Sequence, residues 1–313
     1  MKNRPITISI IAPIYGVERY IAQFADSVLS QSYPHIQFIF VNDGTKDRSM
    51  EVLNTLIEEK YSHRRSSITI VNKENGGLPA ARKTGLEYVT GDYVYHVDSD
   101  DWLAPDSIAK IVAKIEQTDS DIIYFNLVKE YPDKAKPKRE RVYSAATKQL
   151  YVRNMYNHRS FASVCNKCVR HKLYTEHTIY TPQYGYAEDC YLTTQLVGYA
   201  KSISYLNEDI YHYRKGNPGA MTSQQRRKRK REYALNFLDL YQRYCDVPTE
   251  HNPIAPILDD IVLQAGWYSL FYRLDLFSTY PWLASHIRHA KLRRNSNVWF
   301  VSQLLTKIYA LFK

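Results

Sequence analysis

Short β-branched runs alternate with helix-like segments along residues 8–127, and this alternation limits the fold more than any other feature. The runs predict strands at residues 8–12, 36–41, 68–71, 93–97 and 121–127. Apolar residues at helical spacing predict helices between them, at residues 21–29, 50–61, 79–89 and 105–115. Such alternation predicts an α/β fold whose mainly parallel sheet is covered on both faces, with ligands bound beyond the carboxyl ends of its strands.

The chain is long enough for one large domain and an appendage. With 313 residues and 44% hydrophobic content, it can bury a full core. Glycines and a proline at residues 216–219 interrupt the pattern, so we expect a main domain over residues 1–218 and a basic helical region over residues 219–313. The charges and two prolines of residues 129–143 predict an exposed connection.

The four cysteines are too few for a disulfide framework in a chain of this length, so a reducing compartment is expected. Cys165 and Cys168 have the spacing of a zinc or redox site. No second such pair and no matching pair of histidines follows, which favours buried small side chains over zinc.

No apolar run approaches the roughly 18 residues that a membrane-spanning helix needs. The first apolar stretch, residues 6–14, contains Pro13 and is followed by Gly16, Glu18 and Arg19, which indicates a buried strand rather than a signal peptide. We therefore expect a cytoplasmic protein that is free or lies peripherally on a membrane surface.

Positive charge is concentrated in the last third of the chain. The net charge is +10, and residues 201–313 hold 17 Lys and Arg against 9 Asp and Glu, so this third carries +8. Such asymmetry suggests an anionic partner, which can be phospholipid, a lipid diphosphate or nucleic acid. Residues 298–312 place apolar side chains on one helical side, which fits either an anionic bilayer surface or packing against protein. The basic run at residues 226–231 is better explained as a solvated helix face.

Three carboxylates lie within four residues at the end of a predicted strand: Asp98, Asp100 and Asp101. They would repel one another unless a cation compensated their charge. Mg²⁺ and Mn²⁺ prefer oxygen ligands, and Mg²⁺ shares its coordination between one or two carboxylates and substrate phosphates. A cap on the helix after Pro105, by Asp101 or Asp106, would explain one carboxylate and leave two. The cluster therefore favours a metal site.

Two further loops follow strands on the same predicted rim. Asp43 lies in an Asn-Asp-Gly turn, where it can bind a nucleobase or ribose, although this tripeptide is equally a favoured turn sequence. Asn75, Gly76 and Gly77 open the helix that carries Arg82. A helix N-terminus attracts phosphate, and Arg82 can reach anionic oxygens on the same side.

An acidic pair, Glu188 and Asp189, begins an apolar helical stretch. Transfer of a group to a hydroxyl needs a base that removes its proton, which is worth about 10²- to 10⁴-fold in rate. Asp189 is the candidate for this base. Acidic pairs are also common at helix starts, because they stabilise the positive end of the helix dipole.

In this order, the four clusters resemble the family 2 glycosyltransferases with the GT-A fold, particularly bacterial enzymes that build capsule, O-antigen and teichoic-acid glycans. The similarity covers residues 6–215. The resemblance implies that Pro13 and Tyr15 lie beside the nucleotide and that Asp43 binds its base. It also implies contacts with the nucleotide and donor sugar from three residues of the glycine loop and its helix, namely Asn75, Gly77 and Arg82.

The remaining matches carry the chemistry of that family. Asp98-Ser99-Asp100 matches the DXD motif, which implies Asp98 and Asp100 as ligands of Mn²⁺ or Mg²⁺ at the diphosphate, with Ser99 beside the donor. Asp189 matches the catalytic base, with Glu188 next to it.

The resemblance also implies an inverting, metal-dependent transfer for the synthesis of a bacterial surface polysaccharide. The donor is a nucleotide-diphosphate sugar, most often a UDP-sugar, and the acceptor is a hydroxyl of a glycan or of a lipid-diphosphate-linked chain. His212 and Arg214 resemble a segment that closes over the diphosphate. We expect a single sugar to be added per encounter, because the sequence lacks the Gln-x-x-Arg-Trp motif of processive members. Residues 1–128 would form the nucleotide-binding half and residues 129–218 the acceptor-side half.

Two other classes of protein account for fewer of these sequence features. A nucleotidyltransferase also has an α/β sheet with acidic metal ligands, but it would show an early glycine-rich phosphate loop ending in Lys or Arg, and residues 12–16 (APIYG) are not one. A nucleic-acid-binding protein would use the basic last third, but that charge lies in one short run without a recognisable binding module, so no nucleic acid is expected.

Overall fold

The computed structural model describes residues 4–217 and 226–293 of the chain. Its strands are β1 (Ile8–Ile14), β2 (Ile36–Asn42), β3 (Ile68–Asn72), β4 (Tyr93–His96), β5 (Trp102–Leu103), β6 (Ile122–Tyr131), β7 (Lys134–Lys138), β8 (Lys167–Arg170) and β9 (Ile203–Arg214). Its helices are α1 (Ile21–Leu29), α2 (Ser49–Lys60), α3 (Leu78–Leu86), α4 (Ser107–Thr118), α5 (Lys148–Tyr156), α6 (Lys172–Thr175), α7 (Glu188–Tyr199), α8 (Arg226–Tyr244), α9 (Leu258–Phe271), α10 (Leu276–Thr279) and α11 (Trp282–Arg293). The predicted stripe at residues 298–312 lies outside the described residues.

The described strands form one sheet in the order β3-β2-β1-β4-β8-β6-β9-β5, with β7 paired to β6. The first four strands of this order are mutually parallel. β8 runs antiparallel between β4 and β6, while β6 and β9 are parallel. The sheet is therefore mixed with mostly parallel strands, which confirms the predicted fold class.

Helices cover both faces of the parallel half, and this explains why its strands are apolar runs rather than alternating ones. All seven residues of β1 are buried. Ile10 and Ala12 pack into the same cluster as residues of α1, α2 and α4, whereas Ile11 packs with Ala81 of α3 on the other face. The predicted strands and helices of this half are confirmed, with ends shifted by a few residues.

The prediction for residues 129–143 is partly wrong. β6 continues to Tyr131 and turns back into β7, so these residues begin with a β-hairpin instead of an irregular connection. The segment was misleading because β7 is an edge strand whose residues are all exposed. Lysines and a proline, here Pro137, are tolerated at such an edge and even protect it from pairing with another chain.

The C-terminal helices pack onto the second half of the sheet and confirm the predicted helical C-terminal region. Buried side chains of α8 and α9 share one core cluster with side chains of α5, α7 and β6. In the basic run, Arg227, Lys228 and Arg231 are exposed, while Lys230 lies 4.6 Å from the ring centre of Tyr268. Within the described part of the chain, no helix has the length and apolarity needed to cross a bilayer.

Candidate active site

A cleft of about 1070 Å³ opens at the carboxyl ends of the parallel strands. Nearly all residues predicted for the site line it: Pro13, Tyr15, Asp43, Asn75, Gly77, Asp98, Ser99, Asp100, Glu188, Asp189 and Arg214. The topology explains why they meet, because β2, β1 and β4 are parallel neighbours and the segments that follow them emerge on one edge. Arg82 is buried behind the residues that line the cleft, and His212 is not among the residues of the cleft lining.

Asp43 binds the backbone of the glycine loop. Its Oδ1 accepts hydrogen bonds from Gly76 N at 2.9 Å and Lys73 Nζ at 2.6 Å, and its Oδ2 accepts one from Gly77 N at 2.8 Å. Gly77 has a φ of 81°, which favours glycine and lets the loop turn into α3. Asp43 thus has the turn-stabilising role that its sequence also allowed, and it remains on the wall of the cleft.

The acidic turn after β4 is fixed by hydrogen bonds with residues of β1 and β9. Ser99 Oγ donates to the carbonyl of Pro13 in β1 at 2.6 Å. Tyr211 Oη donates to Asp101 Oδ2 at 2.6 Å, and Arg214 N donates to Asp101 Oδ1 at 2.7 Å. Asp101 therefore supports the turn, and Asp98 and Asp100 line the cleft.

The helix-cap explanation of this acidic cluster is not realised. Asp106 precedes α4, but its side chain makes no capping hydrogen bond and instead accepts one from Ser32 at 2.5 Å. Asp101 is directed to β9, as described above. Asp98 and Asp100 therefore remain at the cleft, and helix capping does not explain them.

The carboxylate of Asp100 lines the cleft and would be stabilised by a cation. Its Oδ2 accepts a hydrogen bond from Asn217 at 2.8 Å, while burial and then the charge of Asp98 raise its pKa. A divalent cation would oppose both effects. Within residues 4–217 and 226–293, no three His, Cys, Asp or Glu side chains are grouped so as to enclose a metal ion by themselves. One or two carboxylates are enough, however, where substrate phosphates complete the shell of Mg²⁺, so the site fits such an ion.

Arg82 joins the two acidic parts of the site. Its guanidinium donates to Asp98 Oδ1 at 2.7 Å, to Glu188 Oε1 at 3.1 Å and to Asp189 Oδ1 at 2.6 Å. The side chain is only 4% exposed, and its three carboxylate neighbours hold its pKa well above the usual range against the effect of burial. The anionic oxygens that Arg82 reaches here belong to the protein itself.

The acidic pair occupies the first turn of α7 with its carboxylates in the cleft. Burial, and then the charge of Asp189, raise the pKa of Glu188 to about 8. Burial also raises the pKa of Asp189, against the opposing charge of Arg82. The shorter contact from Arg82 goes to Asp189, so Arg82 favours the ionised form of Asp189 over that of Glu188. An ionised carboxylate is the form that a general base needs.

The two residues predicted near the end of β9 have different positions. His212 stacks on Trp102 with 5.2 Å between ring centroids, and its Nδ1 lies 2.7 Å from Glu130 Oε1. Arg214 lines the cleft, and its Nε donates to the carbonyl of Asp100 at 2.8 Å. Only Arg214 is therefore placed to contact a molecule in the cleft.

The wall formed by residues 160–165 was not predicted. Lys167, which is 1% exposed, donates from Nζ to the carbonyls of Phe161 at 3.0 Å and Ser163 at 2.6 Å. Glu140 accepts from Phe161 N at 2.6 Å. The one available signal was a lysine at the start of a short apolar strand, which is too weak to identify a role. Cys165 and Cys168 are free and buried in the sheet core.

Comparison with known proteins places the chain in a family. The family described as Glycosyl transferase family 2 matches residues 9–178, more than half of the chain. The glycosyltransferase EpsJ of Bacillus subtilis (strain 168) is 31% identical over 221 residues, which are 69% of this chain and 62% of EpsJ. The chain thus spans less than two thirds of the length of that relative.

Two solved structures share the fold. TarS of S. aureus in complex with UDP-GlcNAc has a TM-score of 0.67 at 20% identity, over 91% of this chain and 80% of that structure. The mannosyltransferase PcManGT of Pyrobaculum calidifontis, in complex with GDP-Man and Mn²⁺, has a TM-score of 0.58 at 18% identity, over 99% of this chain and 81% of that structure. The chain belongs to glycosyl transferase family 2 and has the GT-A fold, which confirms the family predicted from its motifs.

Proposed function

We propose that this protein transfers a single sugar from a nucleotide-diphosphate donor to an acceptor hydroxyl, with inversion at the anomeric carbon. The observation that carries the proposal is the single cleft that unites the Asp43 loop, the Asp98 turn and the Asp189 pair, with Arg82 bridging the last two. The motifs resemble enzymes of capsule, O-antigen and teichoic-acid synthesis, so we place the reaction in bacterial surface polysaccharide synthesis.

The donor would lie across the carboxyl ends of β1, β2 and β4. Pro13, Tyr15 and Asp43, which line the cleft, would contact the nucleoside, and the N-terminus of α3 after Gly77 would face the diphosphate. A UDP-sugar is the donor that we favour, because TarS, which shares the fold, was solved with UDP-GlcNAc.

Asp98 and Asp100 would hold Mn²⁺ or Mg²⁺, which supplies positive charge to offset the charge that develops on the leaving diphosphate. Arg82 now occupies an oxygen of Asp98 and would have to keep or exchange that bond when the donor binds. Arg214, whose guanidinium packs 4.7 Å from the ring centre of Trp102, provides a further cation on the same wall.

Asp189 would remove the proton of the acceptor hydroxyl as that oxygen attacks the anomeric carbon. The bond from the sugar to the diphosphate breaks as the new bond forms on the opposite face, so the configuration inverts. Arg82 keeps Asp189 ionised and oriented, and the protonated Glu188 avoids a second negative charge beside it.

A donor screen tests the proposal. Nucleoside diphosphate release is measured with Mn²⁺ over a panel of nucleotide sugars, and NMR of the product gives the anomeric configuration. We expect Asp189→Asn to lower the rate by about 10²- to 10⁴-fold while donor binding persists. Asp100→Ala should lose both the rate and the dependence on Mn²⁺.

Glu188→Gln is the matched control, because its uncharged amide resembles the protonated Glu188 that we infer. It should keep much of the activity at neutral pH. Full activity in Asp189→Asn would exclude Asp189 as the base, and a product with retained configuration would exclude the single displacement.

A further inference from the structure

Five lysines lie on one face of the sheet at the hairpin of β6 and β7, four of them in the hairpin and one directly after β9. Strand pairing sets Lys129 opposite Lys136 and Leu127 opposite Lys138, and paired residues direct their side chains to the same side of a sheet. Lys134 lies on this face opposite Tyr131. In the other direction Lys129 pairs with Tyr213 of β9, two residues before Lys215. We call this set the lysine face: Lys129, Lys134, Lys136, Lys138 and Lys215.

The lysine face continues out of the cleft. Leu127, Lys129, Tyr213 and Lys215 line the cleft together with Asp100 and Asp189. The three lysines of β7 are exposed and lie beyond that lining. Alternate residues of a strand are about 6.6–6.8 Å apart and neighbouring strands about 4.7–4.9 Å, so these ammonium groups form a track that begins beside the reacting groups.

The charge of this track is almost uncompensated. Lys134 pairs with Asp133 at 2.9 Å, with both side chains exposed. Across residues 4–217 and 226–293, no carboxylate forms an ion pair with the other four lysines of the face. Burial and the charge of Lys138 lower the pKa of Lys129, and burial and the charge of Lys129 lower the pKa of Lys215 against the opposing charge of Asp101. The two half-buried ammonium groups therefore repel each other inside the cleft, and an anion bound beside them would reduce this repulsion.

Protection of a sheet edge explains only part of the lysine face. Lysines on an edge strand prevent pairing with another chain, and this accounts for β7. It does not account for Lys129 and Lys215, because β6 and β9 are interior strands and these side chains line the cleft. Two lysines of the face pack against aromatic rings: Lys215 Nζ lies 4.3 Å from the ring centre of Tyr213, and Lys136 Nζ lies 5.5 Å from that of Tyr131. These cation–π contacts favour the positions of the two ammonium groups.

We propose that the lysine face binds the acceptor, and that this acceptor is a chain that carries phosphate groups. The inference rests on the proposed transfer reaction and adds the chemical class of its acceptor. The phosphates along the chain lie against the lysines of β7, Lys129 and Lys215, and this contact delivers a hydroxyl at the end of the track to Asp189. The nucleotide lies on the opposite side of the cleft, at the loops after β1 and β2.

The test measures binding of fluorescein-labelled inorganic polyphosphate by anisotropy over a range of salt concentrations. The variant Lys134→Gln/Lys136→Gln/Lys138→Gln should bind at least about tenfold more weakly, and the slope of log Kd against log salt should fall by about two, because fewer counterions are released. The matched control is Lys110→Gln/Lys172→Gln/Lys201→Gln, which removes the same charge from exposed positions elsewhere. It should bind polyphosphate like the wild type.

Donor hydrolysis without acceptor is measured on the same proteins and should be unchanged in both triple variants. Absent hydrolysis in every protein, with binding that still depends on the lysines, would remove the proposed reaction and leave the anion surface. Intact hydrolysis with equal polyphosphate binding by all three proteins would overturn the lysine face alone. Tighter binding of single-stranded RNA, or of phosphatidylglycerol vesicles, through the same lysines would also overturn it in favour of that partner.

Discussion

Asp100 is half-buried, and this has a cost to folding. Its pKa is raised by burial and by Asp98, so its ionised form is less stable in the folded protein than in water. A carboxylate whose folded pKa lies above its unfolded pKa destabilises the fold once the pH rises above the unfolded value. The penalty is smallest in acid, where Asp100 is protonated in both states. Functional sites commonly retain such destabilising groups because binding needs them.

Asp100→Asn should therefore stabilise the protein in the absence of ligands. We expect Tm to rise by about 2–4 °C near neutral pH, which corresponds to about 1 kcal/mol for a protein of this size. The gain should shrink as the pH falls toward the ordinary pKa of aspartate. Mn²⁺ with UDP should raise the Tm of the wild type but not that of the variant.

Asp133→Asn provides the control for this measurement, because Asp133 is exposed on the hairpin. Its Tm should match the wild type at every pH and should respond normally to Mn²⁺ with UDP. A less stable Asp100→Asn variant, or one that is stabilised by Mn²⁺ with UDP as much as the wild type, would contradict the assignment of Asp100 to the metal site.

Single residues of the site were predictable where their motif follows a strand. Asp43, Asp98 and Asp100 could be placed on one rim because the carboxyl ends of parallel strands share an edge. The partners of these residues could not be predicted. The bonds from Arg82 to Glu188 and Asp189 join segments more than a hundred positions apart, and no local pattern encodes such a distance.

At the scale of elements, the strength of the local signal decided which predictions were correct. The strands and helices of residues 8–127 have strong periodicity and were confirmed. The hairpin of β6 and β7 was missed because exposed edge strands have the composition of loops. The wall at residues 160–165 has neither periodicity nor a motif, since its shape depends on buried charged side chains from elsewhere in the chain.

Lys167→Met tests the role of that wall. Methionine keeps a long side chain but removes the donors to Phe161 and Ser163, so the wall beside Asp189 should lose its position. We expect nucleoside diphosphate release to fall by at least about tenfold, the cost of a modest misplacement in an active site. UDP affinity, measured by calorimetry, should hardly change because Asp43 lies on the opposite wall.

Lys148→Met is the matched control, because Lys148 Nζ also donates to two carbonyls, of Gly198 and Ala200, both at 2.7 Å. These carbonyls lie at the far end of α7, and Lys148 is outside the described lining of the cleft. The variant should lose stability and keep its rate. Equal losses of rate in both variants would show that Lys167 affects activity only through stability.

At the scale of the whole molecule, a C-terminal helix bonds to the segment that precedes the acidic pair. Asn236 of α8 is fully buried, accepts a hydrogen bond from Tyr184 N at 3.2 Å, and donates to the carbonyls of Tyr184 at 2.9 Å and Tyr186 at 3.0 Å. Tyr186 is two residues from Glu188. The segment that presents the acidic pair is thus held by a helix that lies beyond the matched family region.

Asn236→Ala should consequently affect stability and catalysis together. Loss of these bonds leaves buried backbone groups unsatisfied, at about 2–3 kcal/mol in all, or roughly 5–10 °C in Tm. Nucleoside diphosphate release, measured well below Tm, should fall while UDP affinity persists, because the bonds that are lost hold Tyr184 and Tyr186 rather than the loops after β1 and β2. Asn252 is the matched comparison: it is buried among the same C-terminal helices and bonds to Tyr244 O at 2.7 Å, away from the acidic pair. If Asn252→Ala, at a similar loss of Tm, slowed release as much as Asn236→Ala does, α8 would contribute only to stability and the position of Asp189 would be set by the sheet alone.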